Sequence, residues 1–280
     1  MPAPLRVLVP SVLAAGLVLV ACSGATSGTP VPASTTTPPP VVTSAAAAAT
    51  PAPATTTPAR PLSGRIVVLD PGHNGGNAGD KAAINRQVPD GRGGTKPCNS
   101  TGTATDAGYS EHAFNWDLAQ RIRTSLQAQG ATVVMTRDSD TGVGPCVDVR
   151  GAAGQKAHAD LMVSLHADGS AAANSGFHVA YSSPPLNPAQ SGPALDLAKD
   201  LRDALRGAGF ALSDYIGHDG LSPRSDLGGL NLATVPTALV ECANMRNAKE
   251  AAVVSSADGR QKYADAITAG IGTYLASSPR

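Results

Sequence analysis

The chain lacks an excess of charge of either sign. Its 280 residues carry 21 basic and 21 acidic side chains. From Gly64 onward, 19 basic residues stand against 21 acidic ones. A broad basic surface of the kind that holds nucleic acid is therefore excluded, and no such partner is expected. Acidic residues are missing altogether before Asp70, and the only charges in the first 63 positions are Arg6 and Arg60. An acidic solvating tail is ruled out. A long apolar run is also missing at the front, because Val7–Val20 is interrupted by Pro10 and is too short for a comfortable membrane span. Neither an internal repeat nor a His-Glu-x-x-His pattern occurs, so generic metalloprotease motifs give no guidance.

What the first 63 positions do contain is an address and a spacer. Arg6 followed by the apolar run fits a signal peptide over residues 1–21. The run ends in Leu19-Val20-Ala21-Cys22, which resembles the lipobox of bacterial lipoproteins. On that reading Cys22 is the lipid-modified first residue of the mature protein and tethers it to the membrane. The alternative is ordinary cleavage after small residues, with Cys22 incidental. Residues 22–63 are Thr, Pro, Ala and Ser with almost no large apolar side chain, too little to offset the entropy of ordering. They are expected to form an extended, disordered tether. Export to the periplasm or cell envelope permits disulfides. Cys98 and Cys146 both sit in Gly/Pro-rich sequence that suits one. Cys242 ends an apolar run and is expected to be a small buried thiol.

From Gly64 strand and helix signals alternate. Ile66–Leu69, Thr132–Met135, Leu161–Leu165, Phe177–Tyr181 and Thr237–Val240 read as strands. Ser110–Gln129 places Phe114, Leu118, Ile122 and Leu126 at steps of four, a helix face closed by Gly130. Val147–His158 reads as a weaker helix, and Leu195–Leu205, Ala248–Val254 and Tyr263–Leu275 as further helices. This alternation predicts an α/β fold: a single domain over residues 64–280, with a mostly parallel twisted sheet flanked by helices on both faces. A monomer is expected. The exception to the pattern is Gly75–Gly108, with eight glycines and few apolar residues, a loop long enough to imply a functional role or disorder.

Ligands in such sheets bind beyond the carboxyl ends of the strands. His73 lies just past the first strand, His166 closes Leu161–Leu165, Glu241 closes Thr237–Val240, and Glu111 opens the first long helix. Two histidines and a carboxylate form a ligand set used by catalytic zinc, with a fourth position open to water. A second carboxylate could serve as the base that moves protons. Each residue also has an ordinary explanation. Glu111 could offset the helix dipole, His73 could be a turn residue, His166 could bond a backbone carbonyl, and Glu241 could pair with an arginine.

The residues around these four carry a resemblance that spacing does not supply. Val67-Val68-Leu69-Asp70-Pro71-Gly72-His73, Glu111 with Asn115, and Thr136-Arg137-Asp138 come first. Arg150, Ser164-Leu165-His166-Ala167-Asp168, Arg224-Ser225-Asp226-Leu227 and Pro236–Glu241 with Asn244-Met245-Arg246-Asn247 follow in order. Together they resemble the zinc-dependent N-acetylmuramoyl-L-alanine amidases, from about Arg65 to the C-terminus. The resemblance implies Zn2+ held by His73, Glu111 and His166, with Glu241 as catalytic base and proton shuttle. It implies peptidoglycan as substrate and cleavage of the amide between N-acetylmuramic acid and L-alanine by a zinc-activated water. A zinc hydrolase of another cell-wall bond, and an inactive wall-binding regulator on the same scaffold, are the competing readings. Arg137 and Arg150 are expected to support loops. Of the other histidines, His218 is the one to test for substrate contact, and His178 has no metal spacing. The segment between His73 and Glu111 is longer than in compact members of the family. A Cys98–Cys146 bridge would pin it beside the zinc as a flap that limits access. No wall-binding repeat is expected after the domain, and wall retention is expected to rest on the tether and the cleft.

Overall fold

The structure is a computed structural model that describes residues 60–278. The expected leader, Cys22 and nearly all of the tether lie outside the described residues. Leu62, assigned to the tether by composition, is 5% exposed and packs in the main core.

In chain order the strands are β1 (Ile66–Pro71), β2 (Gln87–Pro89), β3 (Thr95–Pro97), β4 (Thr132–Met135), β5 (Leu161–Asp168), β6 (His178–Ser182), β7 (Leu221–Arg224) and β8 (Thr237–Asn244). The helices are α1 (Lys81–Asn85), α2 (Glu111–Ala128), α3 (Val147–Gly151), α4 (Ala153–Lys156), α5 (Pro188–Ser191), α6 (Pro193–Gly207), α7 (Gly228–Asn231), α8 (Ala248–Ser255) and α9 (Ala257–Ser277). Six strands form one sheet in the order β4-β1-β5-β8-β6-β7. Neighbours run parallel except β8 and β6, which are antiparallel. The expected α/β architecture is present. Among the described residues, no helix is long and apolar enough to cross a membrane.

The two faces of the sheet are covered unequally. On one, Phe114, Leu118, Ile122 and Leu126 of α2 are fully buried and join Leu197 and Leu201 of α6 and Ile267 and Ile271 of α9 over the strands. At ~1.5–3 kcal/mol per buried large apolar side chain, this layer dominates the packing energy. On the other face Val68 and Met162 join a small cluster with Ala159, Ala233, Val134, Val235 and the start of α4, while Ala180 and Leu239 meet Leu227 and Leu230 at α7. Short helices leave the rest of that face open as a cleft. Side chains alternate along a strand, so Met162, Ser164 and His166 of β5 share the cleft face with Thr237, Leu239 and Glu241 of β8.

Three elements differ from expectation. Val147–His158 is two short helices, α3 and α4, that meet at Ala152. Strand β7 carries Pro223 and pairs on one side only, with β6. An edge strand tolerates a proline that a central strand would not, and it gives little apolar signal. Within the glycine-rich segment, β2 and β3 pair as a small antiparallel hairpin.

Candidate metal and active site

The turn that follows β1 is built from buried charge. Arg150 is 3% exposed and donates from Nη1 to Asp70 Oδ1 at 2.7 Å and to Pro71 O at 2.8 Å. Its Nη2 donates to His73 O at 2.7 Å. Arg137 adds bonds to Pro71 O and His112 O, both at 2.9 Å. The two arginines thus hold the backbone of the Asp70–His73 turn, and neither is among the metal-ligand cluster. Burial works against the Asp70 carboxylate, but Arg150 and the hydroxyls of Thr136 and Ser164 outweigh it and lower its pKa. Removing one partner of a buried pair strands the other, so Arg150→Met is expected to destabilise the fold by ~3–5 kcal/mol in denaturant melts. The wild-type pair contributes fully above the ordinary carboxylate value of 3.8 and fades as pH falls through the lowered one. The variant should lose that acid-side slope.

This turn places His73 in a left-handed backbone conformation, φ 58°. Such an angle is rare outside glycine and is maintained here by the surrounding hydrogen bonds. Its Nδ1–H donates to Ser100 O at 3.1 Å, which commits the ring proton and leaves Nε2 with a bare lone pair. That Nε2 faces Glu111 Oε1 at 3.2 Å. Two lone pairs at this distance repel unless a cation lies between them or His73 is protonated.

Glu111 opens α2, where the helix dipole favours a carboxylate, and is 4% exposed. Oε2 accepts from Thr103 N at 2.9 Å, and Oε1 from Asn115 Nδ2 and Ala167 N, each at 3.3 Å. Burial alone would raise its pKa, yet the two histidines hold it well below the ordinary carboxylate value. His166 completes the group, with Nδ1 2.9 Å from Glu111 Oε1 and its ring edge-on to His73, centroids 4.9 Å apart. Gly72 lies against this ring, since a Cβ there would stand 2.2 Å from His166 Cε1. Gly72→Ala must therefore displace His166, and metal titration should show an affinity loss comparable to that of losing an outer partner, ~10–100-fold.

One potential donor atom from each of His73, Glu111 and His166 lies within 4.8 Å of the others. Imidazole nitrogen and carboxylate oxygen suit a divalent transition metal, and three such donors converging from separate elements fit one.

Glu241 of β8 lines the same cleft, of about 760 Å³, directly beside His166 in the β5–β8 register. Part of its surface opens to the cleft, while Oε2 is sealed and has no hydrogen-bond partner. Burial first, then the negative charges of Glu111 and Asp168, push its pKa well above the ordinary value, against a weaker pull from Arg224. A carboxyl group whose hold on a proton is strengthened in this way is suited to carrying protons. The structure thus brings all four sequence-predicted residues into one cleft.

The glycine-rich insertion does more than border the site. Ser100 orients His73 and Thr103 orients Glu111. Gly102 stands so close that a Cβ would lie 2.6 Å from Glu111 Oε2. The Cys98–Cys146 disulfide is formed and Cys242 is a buried free thiol. On the far side, Arg92 donates to Pro184 O at 2.7 Å and Lys96 to Asp226 O at 2.6 Å. The segment expected to be a flap is therefore tied down at Arg92, Lys96 and Cys98, and it lines one wall of the cleft. The disulfide closes a loop with a sequence separation of 48 residues. Replacing both cysteines by serine is expected to cost up to about 4 kcal/mol in equilibrium unfolding through restored chain entropy.

Other polar residues fall elsewhere. His112 pairs with Asp140 at 2.7 Å. His218 is exposed and is not among the residues lining the cleft. Sequence reasoning missed Ser100, Thr103 and Tyr215, whose hydroxyl donates to Asp168 Oδ2 at 3.0 Å. The role of Asn115 was accessible, since it lies four residues after Glu111 on the same helix face.

Comparison with known proteins agrees with this geometry. Residues 67–273 match the family model for N-acetylmuramoyl-L-alanine amidase. An N-acetylmuramoyl-L-alanine amidase of Mycobacterium tuberculosis is 49% identical over 224 residues, covering 80% of this chain and 91% of that one. The crystal structure of the N-acetylmuramyl-L-alanine amidase Ami1 from Mycobacterium smegmatis superposes with a TM-score of 0.75 at 53% identity, covering 78% of this chain and 99% of that one. The apo Ami1 of Mycobacterium abscessus gives 0.74 at 52% identity, covering 76% and 100%. With the match running from β1 into α9, through every strand and loop that builds the cleft, the chain belongs to the N-acetylmuramoyl-L-alanine amidase family.

Proposed function

We propose that this protein is a zinc-dependent amidase that hydrolyses the bond between N-acetylmuramic acid and L-alanine in peptidoglycan, with His73, Glu111 and His166 as the zinc ligands. The observation that carries the reading is the 3.2 Å approach of His73 Nε2 to Glu111 Oε1 while the other ring nitrogen is committed to Ser100. A nitrogen and oxygen ligand set with an open position is that of catalytic zinc. Zinc bound there would polarise the scissile carbonyl and acidify water.

The chain's own groups do the rest. Ser100 and Thr103 hold the ligand side chains at fixed angles. Glu241 takes a proton from the attacking water and returns it to the L-alanine nitrogen as the C–N bond breaks. Its partly sealed position keeps the proton from bulk solvent between the two transfers. An exported location agrees with the disulfide and with the family. Residues 1–21 would direct export, residues 22–63 would form the tether, and lipidation of Cys22 would anchor it. The mass of the mature N-terminus tests that last point. The protein is expected to act as a monomer, which its mass in solution would check.

The activity is tested by incubating the purified protein with a defined muropeptide, with and without a chelator, and identifying products by mass spectrometry. Release of intact stem peptide, abolished by chelator and restored by zinc, is the expected result. Cleavage of another bond, or no turnover by the zinc-loaded protein, would overturn it.

A further inference from the structure

His178 is 1% exposed, yet neither ring nitrogen has a hydrogen-bond partner. Leaving buried polar atoms unpaired costs ~1–3 kcal/mol each, and an aliphatic residue beside Val179 and Ala180 would avoid that cost. The position of the ring suggests what the cost supports. His178 is the register partner of Glu241 across the antiparallel β6–β8 pair, and Glu241 is the register partner of His166 across β8–β5. Directly opposed residues share a sheet face, so His166, Glu241 and His178 form one row on the cleft face. The histidine on one side of Glu241 is in the metal cluster; the one on the other side is not. Glu241 Oε2 is itself buried and unpartnered. Two orphaned polar groups therefore stand opposite each other.

We infer that His178 is a positioning residue for Glu241, bonded through a ring nitrogen to the Glu241 carboxyl group, directly or through one water. Opposed Cβ atoms lie about 4.5–5.5 Å apart in such pairs, within reach of a histidine and a glutamate whose carboxyl group can rotate. A proton shuttle needs a neighbour that tolerates both of its forms. Neutral imidazole donates one hydrogen bond and accepts another, so it can serve the carboxylate and the acid without a change of charge. Lysine or arginine would instead clamp the carboxylate. The surroundings keep the ring neutral: burial lowers the His178 pKa to about 4, with Asp168 opposing and Arg224 assisting. Tyr215 packs edge-on against the ring at 6.3 Å and is held by Asp168, which limits its rotation.

This inference rests on the assignment of Glu241 as base, and the experiment separates the two. Zinc-loaded His178→Met and His178→Gln are compared for kcat, KM, zinc content and melting temperature on the muropeptide substrate. Methionine is expected to lower kcat ~10–100-fold, the range for outer partners, with KM and zinc content unchanged and thermal stability equal or higher. Glutamine, close in shape but able to donate and accept, should recover most of the loss. His178→Leu replaces the methionine variant if that one fails to fold. In a Glu241→Gln background the apolar variant should cost nothing further, because the lost interaction acts through Glu241. A full additive loss in that background, or undiminished kcat in the apolar variant while Glu241→Gln is inactive, overturns the inference about His178 alone. An active Glu241→Gln enzyme would instead overturn the assignment of Glu241.

Discussion

Glu241→Gln is expected to lower kcat by ~10²–10⁴-fold with zinc content unchanged, the range assigned to a positioned general acid–base group. Glutamine keeps the size of the side chain but cannot accept a proton. Glu241 also stands outside the His73, Glu111 and His166 cluster, so metal should remain bound. Zinc by elemental analysis and turnover by product release measure the two quantities on one preparation. Wild-type activity in a zinc-loaded variant would refute the mechanism. The pH profile adds a signed expectation. A base must be deprotonated to take the proton from water, so kcat/KM should rise as pH rises through the Glu241 pKa. Burial and the charges of Glu111 and Asp168 raise that pKa above the ordinary 4.5, so the acid limb should lie above the usual carboxylate range.

His73→Ala and His166→Ala should fail differently, by losing the metal. Each removes one of three proposed ligands, so affinity should fall by more than the ~10–100-fold typical of an outer partner. Turnover should fall with it, and excess zinc should restore part of the turnover, which it should not do for Glu241→Gln. Zinc retained at full stoichiometry in either alanine variant would count against the ligand set. Metal occupancy should also depend on pH, because a protonated imidazole cannot bind. Burial opposes charge on His73, but Glu111 prevails and raises its pKa above 6.5 in the metal-free site. Competition from protons should therefore begin at a higher pH than for an ordinary histidine, and occupancy should fall as pH drops through that range.

The legible parts of the fold were those with a local signature. Strands β1 and β5 announced themselves as apolar runs because parallel strands in this sheet are buried on both faces. Helix α2 was legible from four apolar residues at steps of four. The edge strand β7, with Pro223 and a serine among its four residues, had no such signature. Nor had the β2–β3 hairpin, whose three-residue strands bury only Val88 against the disulfide and Val147 and are otherwise held by Arg92 and Lys96. The site divides in the same way. His73, His166 and Glu241 were found because the ends of parallel strands are where a cleft forms.

By itself, then, the sequence singled out the candidate side chains for the chemistry and the order in which they come along an α/β chain. It also identified Cys98 and Cys146 as a fitting pair. The tertiary structure alone decided which His73 nitrogen is free for a metal, because a carbonyl 27 residues away takes the other proton. It decided that the glycine-rich segment is a wall that orients His73 and Glu111, and that Arg150 neutralises Asp70 beneath the turn. It also decided that His166, Glu241 and His178 share a row. Each of these depends on strand register and loop closure, and a shift of one residue would turn the side chain to the opposite face.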